Sequence, residues 1–289
     1  MRISVLFAFL LLAACASAPA ERTAAVRIDP ARMSNMVRTL ASDEYEGRAP
    51  GTAGEAKTIA YIAEQFRLAG LEPAGENGGW MQRVPLVRTQ LGKGAVTAAM
   101  QGRPVPLRVP DDIYLSTVRE TDRARIDSAP MVFVGYGVAA PERQWDDFKG
   151  VDLRGKVAVF LVNDPDFEAT SGDPAAGKFG GQAMTYYGRW TYKFEEAARR
   201  GAIAALVVHE SAGAGYGWNT VQAPAGENYN IELKPGAPQP VLLQGWIQRA
   251  ATETEPPLAS WVRTSGTFWV QPPFSPAGSS PASRNCSEI

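Results

Sequence analysis

Apolar positions recur at helical spacing twice near the start of the chain, then give way to short continuous runs. Met33, Met36, Val37 and Leu40 form one stripe. An N-cap candidate, Asp29, and a proline suited to the first helical position, Pro30, stand before it. Ile59, Ile62, Ala63 and Phe66 form a second stripe, which predicts a helix over 54–69 with Gly70 as its C-cap. A strand is expected over 81–88. These two helices and the strand read as one unit near 24–90. Residues 91–128 read as short strands and turns, broken by Gly92, Gly94, Gly102 and several prolines.

A second pattern begins at Ala129. Met131-Val132-Phe133-Val134 is a short apolar run that ends in Gly135-Tyr136-Gly137. The turn Asp152-Leu153-Arg154-Gly155 leads into Lys156 to Val162, continuous enough for a strand buried on both faces. A helix is expected over 192–200, closed by Gly201, and a buried strand over 202–209. Strand, long excursion, helix and strand make a crossover with parallel pairing. Pro240 to Leu243 offers one more strand. Beyond Ala250, Gly, Pro, Ser and Thr dominate and the apolar period is lost, so 250–289 is expected to be unstructured.

Composition narrows the function classes. With 45% hydrophobic and 20% charged residues the 289-residue chain is that of a globular protein, and a net charge of −1 gives no reason to expect nucleic acid as a partner. The first residues stand apart: Arg2 is followed by a nearly all-apolar run from Ile3 to Ala14, the length of a signal-peptide core. The run ends Leu12-Ala13-Ala14-Cys15, which resembles a bacterial lipobox and implies cleavage before Cys15 and lipid on its thiol. The alternative is a plain secretory signal cut after Ala16-Ser17-Ala18. Either way export to the bacterial envelope or periplasm is expected, with the membrane reached only through the lipid. Residues 1–20 are then leader and start of tether. The other cysteine is Cys286, so a lipidated Cys15 leaves no intramolecular disulfide.

Candidate chemistry is thin. The chain has one histidine, so chemistry built on a histidine pair cannot come from it alone. Gly172 to Lys178 has phosphate-loop spacing, but Phe179 follows where a hydroxyl is needed and no strand precedes it. His209 and Ser211 near a strand end lack a nucleophile-elbow sequence, and a lone histidine is a poor zinc site. Leu40 to Glu55, LASDEYEGRAPGTAGE, is the most unusual stretch. Its acids Asp43, Glu44 and Glu46 could serve metal or acid–base work, though each alone is better read as solvated. Arg48 suits an ion pair with one of them or a loop-closing hydrogen bond to carbonyls.

Taken together, these pieces resemble a known family. Leu40 to Asp43, Gly47-Arg48 and Gly51 to Gly54, with the helix behind them, look like the start of the catalytic domain of the exported two-zinc aminopeptidases of the peptidase M-28 family. Phe133 to Gly137, Asp147 to Val157 and Lys193 to Ala202 resemble the protease-associated (PA) domain inserted into many of them. The resemblance runs, in order, from Leu40 to Leu243. It implies an α/β fold: the N-terminal helical part of a zinc-exopeptidase domain over 24–128, a β-rich PA insert over 129–243, and the unstructured tail. It also implies peptide substrates, with Arg48 and Asp43 as candidate scaffold on the substrate side.

The departure from the family decides the expected activity. Its α/β domain resumes after the PA insert and supplies the histidines and carboxylates that hold two zinc ions, with a glutamate as base. Here no histidine follows His209, and beyond Lys234 the acids are Glu253, Glu255 and Glu288. No catalytic residue, metal ligand or cofactor can therefore be assigned to this chain. The expectation is an aminopeptidase relative without catalysis, its tail the product of a shifted frame or truncation. The alternatives are a PA-type module that binds peptides or envelope proteins through loops such as Tyr186-Tyr187 and Gly215 to Trp218, and a nonfunctional gene fragment.

Overall fold

A computed structural model describes residues 28–90, 94–100, 103–222, 227–252, 266–271 and 286–288. The chain divides into two compact units, Met1–Glu72 and Pro73–Ile289. Cys15 lies outside the described residues.

The first unit is a pair of helices, α1 (Pro30–Leu40) and α2 (Ala53–Leu68), joined by 3-10 turns over Asp43–Arg48. Asp29 caps α1 by accepting from the amides of Ala31 (2.9 Å) and Arg32 (3.3 Å). Thr52 caps α2 by accepting from the Glu55 amide, and the Glu55 carboxylate accepts from the Gly51 amide at 2.6 Å. Gly54 is needed for close approach: a β-carbon there would overlap the carbonyl oxygen of Tyr45. Tyr45 is buried and meets Tyr61 edge to face. The apolar stripes themselves stay exposed, at Met33 and Val37 on α1 and at Ile62 and Phe66 on α2.

The second unit begins with the strands β1 (Arg83–Gln90), β2 (Ala95–Met100), β3 (Arg103–Leu107), β4 (Ile113–Ser116) and β5 (Ile126–Phe133). A small ladder of β6 (Ala139–Ala140) and β7 (Trp145–Asp146) precedes the crossover of β8 (Val157–Leu161), α3 (Trp190–Arg199) and β9 (Ala204–His209). Then come α4 (Ser211–Ala214), β10 (Glu227–Ile231), β11 (Leu243–Gln248), α5 (Arg249–Thr252), β12 (Gly266–Gln271) and β13 (Cys286–Glu288).

The heart of this unit is a mixed sheet in the order β5-β8-β9-β11-β4: the first four strands are parallel, and β4 closes the edge antiparallel to β11. Strand β12 extends it from β5 to the β2-β3 hairpin, giving eight strands. A separate three-stranded sheet runs β10-β1-β13. The continuous apolar runs of β8 and β9 serve both faces of the main sheet by alternation. Val157, Val159, Leu206 and Val208 join Ile113, Leu115, Leu243 and Ile247 in one core. Ala158, Phe160, Ala205 and Val207 join Phe194 and Ala197 of α3 in the other.

The general α/β class is therefore that of the chain, while several divisions expected from sequence fall elsewhere. Strand β1 belongs to the second unit because its ladder partner is β10, so the expected 24–90 unit is not one body. Strand β4 pairs with β11, so residue 128 does not separate two bodies either. Local periodicity carries no information about distant ladder partners. The last parallel strand begins at Leu243, not Pro240: a proline has no amide to give an interior ladder. The tail is corrected in part. Residues 266–271 lie between β2 and β5, and 286–288 pair with β1, where no structure was expected. Thr267-Phe268-Trp269-Val270 is rich in β-branched and aromatic strand formers, a signal masked by the Gly and Pro around it.

Candidate functional site

A cavity of about 1090 Å³ in the second unit is lined by α3, β4, β11 and β10. That volume lies just above the usual range of small-molecule sites. Its floor follows from strand alternation. Ile113 and Leu115 of β4 and Leu243 and Ile247 of β11 enter the core on the opposite face. Tyr114, Ser116, Gln244 and Trp246 are thereby turned towards the cavity. Tyr114 pairs with Trp246 in the ladder and Ser116 with Gln244, so the four make one patch. Gly245 permits this: a β-carbon there would overlap the Tyr114 carbonyl oxygen.

One wall is a row at i, i+4 and i+8 on α3: Trp190, Phe194 and Ala198. The rings of Trp190 and Phe194 meet edge to face, 5.7 Å between centroids. The facing wall is Asn228 to Ile231 of β10 with Leu233, Pro238 and Pro240 beyond it. Arg119 fixes that segment by donating to the Pro240 carbonyl at 2.7 Å. The cavity is graded: Tyr114 and Trp246 at the floor are 5% and 7% exposed, whereas Trp190 and Tyr229 at the mouth are 41% and 38% exposed. Two polar atoms of the lining, the Tyr114 hydroxyl and Nδ2 of Asn230, are shielded from solvent and have no hydrogen-bond partner among the described residues. A buried polar atom left so carries a penalty of about 1–3 kcal/mol.

The charged lining residues are already engaged. Glu195 accepts from the Tyr186 hydroxyl at 2.9 Å and lies 3.6 Å from Arg199, which also pairs with Glu196 at 2.7 Å. Behind the floor sits His209. Its Nε2 is 3.1 Å from the Tyr216 carbonyl, and its ring is enclosed by those of Tyr216, Trp218 and Trp246. Burial pushes its imidazole below the ordinary range, against the Tyr216 carbonyl and Glu210.

The excursion between β8 and α3 is held from inside. Asp164 accepts from the amide (2.6 Å) and hydroxyl (2.8 Å) of Thr185. Asp166 accepts from the amides of Phe179 and Gly181. Lys193, fully buried on α3, donates to the carbonyls of Tyr136, Asn163 and Tyr187. The Gly172 to Lys178 segment is a run of turns within this excursion, and Lys178 lies over the Trp145 ring.

Ligands of open α/β sheets usually sit beyond the carboxyl ends of the parallel strands. Here that place is filled: Tyr136, Glu168, Glu210 and Arg249 surround only about 10 Å³, with Arg249 paired to both glutamates. The aromatic cavity is the better candidate.

The sequence candidates fall outside it. Arg48 donates through Nη1 to the Leu40 carbonyl, the loop-closing bond, with its own backbone left-handed at φ 61°. Asp43 is exposed at the start of the 3-10 turns. Ser211 is exposed on α4 while His209 is occupied with Tyr216. Of the aromatic loops considered for binding, Tyr216 lines the cavity. Tyr186 and Tyr187 give their hydroxyls to Glu195 and Glu142, and Trp218 gives its indole N–H to the Pro110 carbonyl. Sequence inspection missed Tyr114, Asn230 and Trp246. The alternation of Ile113 to Ser116 and of Leu243 to Gln248 was the available signal.

Among the described residues the donors do not make a site for the two zinc ions that the resemblance implies. The single histidine is enclosed by aromatic rings, and among the described residues no three His, Cys, Asp or Glu side chains converge as a metal site. In comparisons with known proteins, no family model and no curated sequence matches this chain.

Proposed function

We propose that this chain is a peptide-binding module, related to the exported M-28 aminopeptidases and their PA domain, that holds peptides without cleaving them. The observation that carries the proposal is the cavity between α3, β4, β11 and β10, with aromatic walls and two polar atoms that lack partners among the described residues. Apolar walls with a few placed polar groups are the usual make-up of a binding site. The enclosure of His209 by the rings of Tyr216, Trp218 and Trp246 favours binding over hydrolysis at this cavity. Export, with an anchor on Cys15, would put this module among envelope peptides.

The test uses the purified full chain, with and without added zinc. Peptide titration followed by tryptophan fluorescence and calorimetry should saturate, while aminoacyl chromogenic substrates stay intact. Zinc-dependent turnover, or no peptide binding at any accessible concentration, overturns the proposal.

A further inference from the structure

On the strength of that peptide-binding reading, we infer that the cavity selects an uncharged, proline-rich segment in the polyproline II conformation. Three features of the wall point to this chemistry. First, Trp190 and Tyr229 give the mouth an aromatic lining with Phe194 buried against Trp190, and proline rings dock into aromatic-lined grooves. Second, the unmet bonding capacity is for acceptors. Nδ2 of Asn230 can only donate, and the Tyr114 hydroxyl carries a proton with nowhere to go. A polyproline II segment presents carbonyls with no internal hydrogen bonds, and its prolines bring no N–H that would need an acceptor in return. Third, Glu195 and Arg199 are taken up by Tyr186, Glu196 and each other. A charged ligand group would enter an apolar space without a free counterion, which is strongly unfavourable.

Both groups belong to residues that line the cavity, and binding requires their side chains to turn towards a carbonyl seated there. Both groups are shielded from solvent in the free protein, so each gains a hydrogen bond when its side chain turns towards a ligand carbonyl, at the cost of the packing that shields it now. A preformed polyproline helix also loses little conformational entropy on binding.

Four capped, tryptophan-free peptides of equal length test this on the full chain: a neutral proline-rich one, a neutral proline-free one, and proline-rich ones carrying lysines or aspartates. Fluorescence of Trp190 and Trp246 and calorimetry read the affinity. The neutral proline-rich peptide should bind at least tenfold tighter than each of the others. Tyr114→Phe and Asn230→Leu should each weaken it about tenfold, with unchanged circular dichroism. Equal or tighter binding of a charged or proline-free peptide overturns the inference and leaves peptide binding standing. Undiminished affinity in both variants also overturns it. If none of the peptides binds, the peptide-binding proposal itself falls.

Discussion

The ammonium of Lys193 lies 2.6 Å from the carbonyl oxygen of Tyr136, in the turn that follows β5. The same group reaches the carbonyls of Asn163 at 3.1 Å and Tyr187 at 3.3 Å, so one α3 side chain ties together three loops. Those loops frame the carboxyl ends of β5 and β8 and the start of α3, the helix whose other residues wall the cavity. A lysine is rarely fully buried, and here each of its N–H bonds has an acceptor.

Lys193→Met keeps most of the volume and leaves three carbonyls without that donor, so stability should fall by about 2 kcal/mol. Burial pushes the amine down to about 7, while Asp164 and Asp147 pull it up. An unfolded lysine titrates at about 10.4. Between those values the unfolded chain holds a proton that the folded chain has released, so stability rises with pH across this window. Below it both states are protonated and the contribution is flat. Denaturant titrations at several pH values should show this slope in the wild type and lose it in Lys193→Met. A slope shared by both proteins would assign it to another group.

His209 predicts the acid side. Its imidazole is pushed down by burial, so the folded state takes up its proton at lower pH than the unfolded state does. As pH falls through about 6.5 the unfolded chain is protonated first, and stability is lost. His209→Gln keeps a donor for the Tyr216 carbonyl but does not titrate. The variant should remove the His209 part of the acid loss, read from the fluorescence of the neighbouring Trp218 and Trp246. Identical acid transitions in the two proteins would refute this assignment.

What the sequence made legible was local. Asp29, Pro30 and Gly70 mark helix ends through their own backbone and capping chemistry, and α1 and α2 end beside them. The continuous run at Val157 to Leu161 announces a strand buried on both faces because no polar residue interrupts it. The cavity was not legible in this way. Tyr114 and Trp246 stand 132 positions apart in the chain yet face each other across one ladder. Asn230 arrives from a different sheet altogether. Nothing within any of these short segments encodes which partner it meets, while the conspicuous LASDEYEGRAPGTAGE stretch is set in the first unit with its Asp43 exposed.

That stretch does predict a packing constraint. Gly54 opens α2 against the Tyr45 carbonyl, and a methyl group there has no room. Gly54→Ala should destabilise the helix pair by about 1–3 kcal/mol even though alanine favours helices. Hydrogen exchange should accelerate over residues 43–58, while amides of β8 and β9 keep their protection. Slower exchange across 43–58 would mean that helix propensity outweighs the clash.

Gly245 gives the corresponding constraint at the cavity floor. It sits on β11 between Gln244 and Trp246, opposite Leu115, and a β-carbon would overlap the Tyr114 carbonyl oxygen and press on the Leu115 side chain. Strand β11 is held on its other side by β9 through six residues of parallel register, so it cannot readily retreat. The strain is therefore expected to move β4, the edge strand, and with it Tyr114. Gly245→Ala should lower stability by about 1–3 kcal/mol. It should also weaken any ligand of the cavity more than a stability loss alone explains, because Tyr114 leaves its place opposite Trp246. Thermal melts, exchange protection of residues 113–116 and peptide titration on the same preparation separate the two effects. A variant that melts earlier yet binds with unchanged affinity would show that the Tyr114–Trp246 pairing does not set the floor of the site.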